Sequence, residues 1–202
     1  MYYRKDSRTR ALGTAMKVLI FCGHHNSGKT TLLLRAVRGL TAKGYTVSTV
    51  KHSPGMGHQP SSSPASPFSG KNDSARLLAA GSAATVLVTA AGALLQRVLD
   101  LDRSEDHEAV LPGILAELHS DFVLVEGFKG FRGSIPKVLL VHTAEELSAL
   151  ADESTVAYSG IHAREGWSVS IPFLPHSTNE DGMAEFVLRY AREEEPSDDI
   201  TL

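Results

Sequence analysis

The stretch Gly23-His24-His25-Asn26-Ser27-Gly28-Lys29-Thr30 satisfies the spacing G-x-x-x-x-G-K-[ST], and it stands between a short apolar run and a run at helical spacing. Each restricted position has a physical reason. The two glycines let the backbone wrap an anion with its N–H groups, Lys29 brings a point charge to the outer phosphates, and the Thr30 hydroxyl is a ligand for Mg²⁺. A helix starting at this point turns the positive end of its dipole toward the same anion. The pattern therefore implies nucleotide binding, provided that strand, loop and helix occur in that order.

Working outward, Lys17-Val18-Leu19-Ile20-Phe21-Cys22 is apolar and short, as a parallel strand buried on both faces must be. Residues 31–40 place leucines at helical spacing, Gly44 stands at the helix C-terminus, and residues 45–50 read as the next strand of a βαβ unit. Further along, the pattern predicts a helix over 72–80 stopped by Gly81, and strands at 84–88 and 93–99. A helix is expected over 105–118, broken or bent at Pro112 and Gly113. Strands are expected at 121–127, 137–141 and 155–158, and a final amphipathic helix over 179–192. The expected fold is α/β, a three-layer arrangement with a mostly parallel central sheet and helices on both faces.

At 202 residues and 42% hydrophobic content the chain supports one sizeable core, which predicts a single nucleotide-binding domain over 16–192. Residues 1–15 are polar and basic and read as a disordered N-terminal tail or a tag. The acidic run in 193–202 reads as a solvated, frayed end. A net charge of −3 gives no general attraction for nucleic acid or an anionic membrane, and no stretch is apolar for the 18 residues of a membrane span. The single cysteine, Cys22, excludes an internal disulfide framework, so a cytoplasmic protein without nucleic-acid or membrane partners is expected. Residues 55–70, rich in Ser, Pro and Gly, read as a long loop at the C-terminal edge of the sheet, where ligands of parallel sheets bind.

A phosphate loop needs a carboxylate at the end of a neighbouring buried strand to hold the waters of Mg²⁺. Glu126 fits, following four apolar residues and preceding Gly127, whereas Asp121 opens the same strand and belongs at its far end. Lys51 and His52 close the second strand and Asp73 and Ser74 open the following helix. Both pairs can converge on the loop, and Asp73 or Ser74 can equally serve as a helix cap. Lys129 and Arg132 lie on a Gly-rich loop with charges available for a second anion. The interleaved Phe128 and Phe131 either stack on a ring system or form a local packing cluster. His24 and His25 fall at variable loop positions and read as bystanders, and none of the nine histidines shows zinc-ligand spacing.

Taken together, G-H-H-N-S-G-K-T-T-L, V-K-H, G-K-N-D-S-A-R-L-L-A-A-G-S, D-F-V-L-V-E-G-F-K and I-P-K-V resemble the molybdopterin-guanine dinucleotide biosynthesis protein B family, in order and spacing over most of 16–190. The resemblance implies a P-loop NTPase fold and a homodimer that binds GTP with Mg²⁺ and hydrolyses it weakly. It also implies work alongside the guanylyltransferase that attaches GMP to molybdopterin, with molybdopterin itself a further candidate ligand. Carried over by position, Gly23, Asn26, Ser27, Gly28, Lys29, Thr30 and Thr31 hold the nucleotide, and Thr30 and Glu126 the metal. Lys29, Thr30 and Glu126 would carry hydrolysis, while Lys51, His52, Asp73, Ser74 and Lys129 face substrate or partner. One departure stands out: where the family has an Asp-rich stretch after V-K-H, this chain has the Ser/Pro-rich loop. No N-K-x-D motif is present to read guanine, so preference for GTP rests on the resemblance. The competing expectation is a small-molecule kinase or an ATP-dependent ligase, which use the same loop for phosphoryl transfer.

Overall fold

Strand β1, Lys17–Gly23, is buried along its five central residues, and its alternating side chains divide the core in two. Leu19 and Phe21 face one apolar cluster, while Val18, Ile20 and Cys22 face the other, as the period of two in a strand requires. The computed structural model describes residues 16–53, 73–89, 92–95, 110–131 and 133–193. The remaining elements in chain order are α1 (Lys29–Ala42), β2 (Val47–Ser53), α2 (Asp73–Ala79), β3 (Ala84–Thr89), β4 (Gly92–Leu95) and α3 (Leu111–Ala116). They are followed by β5 (Phe122–Glu126), β6 (Lys137–Leu140), α4 (Ala144–Leu150), β7 (Thr155–Ser159), α5 (Glu180–Tyr190) and β8 (Arg192–Glu193).

Six strands, in the order β3-β2-β5-β1-β6-β7, run parallel. β4 adds an antiparallel edge to β3, and β8 pairs antiparallel with the start of β1. The cluster on one face takes Leu33 and Val37 from α1, Leu77 from α2 and Met183 and Val187 from α5; the other takes Leu111 and Ile114 from α3 and Leu147 from α4. These are the three layers expected of an α/β chain. β1 lies between β5 and β6, so the loop that leaves it emerges mid-sheet, at the C-terminal edge of the parallel strands.

Two contacts hold α5 and the segment leading into it against α1. Gly39 of α1 lets α5 approach closely, since a Cβ there would lie 2.0 Å from the Glu180 carbonyl oxygen. Arg35 donates from α1 to the main-chain carbonyls of His176 and Thr178, which pins the β7–α5 connection beside the phosphate loop. At the opposite edge Asp121 accepts from the Thr46 amide (2.8 Å) and hydroxyl (2.7 Å), tying the start of β5 to β2 far from the loop.

Several boundaries differ from the sequence expectation. The second strand is Val47–Ser53 and reaches past Lys51 and His52, because pairing with β3 and β5 continues to the sheet edge. The helix expected over 105–118 is described only from Leu111, with Pro112 in its first turn, where a missing N–H breaks no helical bond. α5 ends at Tyr190, and Ala191 turns extended so that Glu193, expected in the acidic tail, pairs with Lys17. α4 was not expected. Its Thr143 cap accepts from the Glu146 amide. Residues 1–15, the 55–70 loop, Arg132 and the end of the chain lie outside the described residues, as do parts of the segments expected at 93–99 and 105–118. Among the described residues no helix is long and apolar enough to cross a membrane.

Candidate functional site

The phosphate-loop motif forms the turn between β1 and α1. Asn26 adopts φ 56° and Gly28 φ 95°, left-handed conformations that fold the loop back on itself. The fully buried Ser27 hydroxyl donates to the His24 carbonyl at 2.8 Å. α1 opens with no side-chain cap and no acidic residue in its first turn; the Thr31 amide donates to the Gly28 carbonyl. Its positive end is thus left without a protein carboxylate of its own, which suits an external anion. Lys29 curls back, its ammonium donating to the carbonyls of Gly23 (3.3 Å) and His24. Burial lowers its pKa below the usual lysine range; the Glu126 carboxylate opposes that shift, and the Lys51 and Lys129 charges add to it.

Beside the loop, three elements deliver oxygen atoms to one point. The Thr30 hydroxyl lies 3.0 and 3.1 Å from the two Glu126 oxygens and 3.2 Å from Asp73 Oδ2. Lys51 Nζ lies 2.5 Å from Asp73 Oδ2 and 3.3 Å from Glu126 Oε1. Lys51 and Glu126 are directly paired in the β2–β5 register, so both project from the same face of the sheet. Asp73 arrives from the first turn of α2. Burial pushes its carboxyl up, but the Lys51 ammonium and the Thr30 hydroxyl outweigh that and hold it below the usual carboxylate range. A hydroxyl and two carboxylates form a hard, all-oxygen donor set. That fits Mg²⁺, which binds few protein groups and keeps several waters. Among the described residues no group of three or more His, Cys, Asp or Glu is placed to hold a metal.

The chain turns sharply after Glu126. Gly127 has φ 101° and Phe128 φ 51°, an uncommon value for an aromatic residue, and the turn buries Phe128 with its ring stacked on His52 at 4.4 Å between centroids. Phe128 is therefore part of the packing that fixes the end of β5, and Phe131 packs against the same cluster. Lys129 is exposed beyond this turn, and Ser74 follows Asp73 in the first turn of α2. Thr30, Lys51, Asp73 and Glu126 are brought together, while Lys29 faces the loop carbonyls and His52 faces Phe128.

With this geometry in view, a family model described as molybdopterin guanine dinucleotide synthesis protein B, MobB, matches residues 18–159. The chain belongs to the MobB family. The match runs from β1 to the end of β7 and contains the whole oxygen cluster. The crystal structure of a MobB homologue from Bacillus stearothermophilus is 25% identical, covering 85% of this chain and 95% of that one at a TM-score of 0.50. That of Bacillus subtilis MobB is 27% identical, covering 89% and 100% at a TM-score of 0.51. No curated protein matches the chain.

In this MobB family member the β7–α5 connection adds a residue that sequence reasoning missed. His176 packs against Gly28, and its buried Nε2 has no hydrogen-bond partner among the described residues. No spacing rule links positions 28 and 176; only the Arg35 clamp on the main chain brings them together. His24 and His25, set aside from sequence, contribute through their backbones. The His24 carbonyl accepts from Ser27 and Lys29, and the His25 carbonyl lies 3.1 Å from His142 Nε2.

Proposed function

We propose that this chain binds GTP with Mg²⁺ on the 23–31 loop, hydrolyses it slowly, and serves as a cytoplasmic, homodimeric accessory to the guanylyltransferase that attaches GMP to molybdopterin. The observation that carries the reading is the convergence of Thr30, Glu126 and Asp73 beside an α1 N-terminus that has no acidic residue of its own. Gly23, Asn26, Ser27, Gly28 and Thr31 shape the loop, whose backbone N–H groups surround the phosphates. Lys29 leaves the Gly23 and His24 carbonyls for the outer phosphates, a stronger, charge-assisted partner. Thr30 and Glu126, with Asp73, would hold Mg²⁺, which neutralises phosphate charge when bound. His52, Ser74 and Lys129 are the residues assigned to a second ligand or a partner, with Lys129 exposed beyond the turn that follows Glu126. Placement among proteins of molybdopterin guanine dinucleotide synthesis is supported by the family match.

The same geometry supports slow turnover. Once Thr30, Glu126 and Asp73 are committed to Mg²⁺, neither carboxylate is free to act as general base for an attacking water, which is consistent with slow hydrolysis.

Calorimetric titration with GTP and with ATP, each with and without Mg²⁺, tests the reading. Mg²⁺-dependent preference for GTP is expected, and Lys29→Ala should weaken binding at least about tenfold by removing a charge-assisted contact. Unchanged binding in Lys29→Ala would refute the assignment of the loop. Preference for ATP with formation of a phosphorylated small molecule would instead establish the kinase reading.

A further inference from the structure

Glu126 and Asp73 come from different elements and both approach the Thr30 hydroxyl, so a positive charge beside them offsets their repulsion. The Lys51 ammonium fills that role, with Nζ 2.5 Å from Asp73 Oδ2 and 3.3 Å from Glu126 Oε1. Lys51 and Glu126 are largely withdrawn from water, their side chains 16% and 8% exposed, while Asp73, at 37%, forms the open side of the cluster. The oxygen atoms that suit a divalent cation are thus already neutralised in part by a side chain of this protein.

We propose that Lys51 is an exchangeable counter-ion that makes cation binding depend on the nucleotide. Without nucleotide, Lys51 holds the Glu126–Asp73 pair and disfavours a free divalent cation, which would have to displace the ammonium and strand it beside a +2 charge. When the cation arrives together with a triphosphate, Lys51 yields the carboxylates and moves its charge onto phosphate oxygen, so no charge is left unpaired. Lys51 then determines what the site accepts: a cation–nucleotide complex in preference to either component. The inference rests on the GTP and Mg²⁺ reading given above. It concerns a residue that β2 places opposite Glu126 in register, and the exchange requires only rotation of a flexible four-carbon side chain.

The test is Lys51→Met, which keeps an unbranched side chain one atom shorter and removes its charge. Mn²⁺ binding to the nucleotide-free protein is followed by electron paramagnetic resonance, and Mg²⁺-GTP binding by calorimetry. The expected signature has opposite signs. Lys51→Met binds Mn²⁺ about tenfold more tightly than the unaltered chain, and it binds Mg²⁺-GTP several-fold more weakly. A purely structural role would weaken both. Lys51→Arg should keep the poor Mn²⁺ affinity, and Mn²⁺ should raise the melting temperature of Lys51→Met more than that of the parent, which also checks folding. If Lys51→Met does not fold, Lys51→Gln serves in the same titrations. Equal or weaker Mn²⁺ binding in the uncharged variant overturns the exchange while leaving the metal assignment intact. Absence of Mn²⁺ binding in every variant, with or without GTP, overturns both.

Discussion

Replacing Gly28 by alanine separates backbone strain from a specific contact in the phosphate loop. Gly28 has φ 95°, and a Cβ built there would lie 2.2 Å from His176 Nε2 and 2.8 Å from its Cδ2. Holding a non-glycine residue in the left-handed region costs about 1–2 kcal/mol. The imidazole must then retreat by more than an ångström to reach ordinary contact, while its main chain stays fastened by Arg35. Overpacking of this kind adds about 1–3 kcal/mol. Gly44 is the control, with φ 87° and nothing within 4 Å of a built Cβ, so Gly44→Ala shows the backbone cost alone. Urea unfolding of Gly28→Ala, His176→Ala, the double variant and Gly44→Ala provides the assay. Gly28→Ala should be the costliest glycine change, and in the His176→Ala background its cost should fall by about 1–3 kcal/mol, to the level of Gly44→Ala. Each kcal/mol corresponds to about 2–4 °C in Tm for a chain of this size. A Gly28→Ala cost equal to that of Gly44→Ala, or no coupling to His176, would refute the reasoning.

Substitutions at two further contacts, Lys137–Asp152 and Gly39–Glu180, probe what holds the site's scaffold. Lys137 is 2% exposed and pairs with Asp152 at 2.6 Å, so Asp152→Ala should cost about 3–5 kcal/mol by chemical denaturation, and pairing it with Lys137→Met should recover most of that loss. Burial alone would raise the Asp152 pKa, but the bonds from Lys137 and Ser154 outweigh it and hold the carboxyl far below its ordinary value of 3.8. The stabilisation is therefore complete above about pH 4 and lost as the pH falls further; acid unfolding of Asp152→Asn should lack that part of the profile. Gly39→Ala sets the gain in helix propensity, about 1 kcal/mol, against a Cβ 2.0 Å from the Glu180 carbonyl oxygen. The backbone contact should prevail, with a net loss of about 1–3 kcal/mol in thermal unfolding, and a stabilised variant would show that α5 yields freely.

The sequence alone determined the order of strand, loop and helix around 23–30, because an apolar run, two glycines and a helical leucine pattern are local signals that tertiary packing did not overturn. It also singled out Glu126, since a carboxylate after a buried strand has few places to go but the sheet edge. Pairing between distant residues was a different matter. Lys51 meets Glu126 because β2 and β5 are neighbours in register, and no local pattern encodes strand order. Asp73 can be a helix cap or a ligand from sequence; only the placement of α2 against the loop directs it to Thr30 and Lys51. Phe128 left stacking on a ligand open beside the commoner use in local packing, and the left-handed turn after Glu126 puts it in packing on His52. His176 carried no signal at all, because its role exists only once Arg35 has drawn the β7–α5 connection onto Gly28. Local chemistry names the phosphate loop and its lysine, whereas the counter-ions and walls around it come from chain segments that meet only when the sheet has formed.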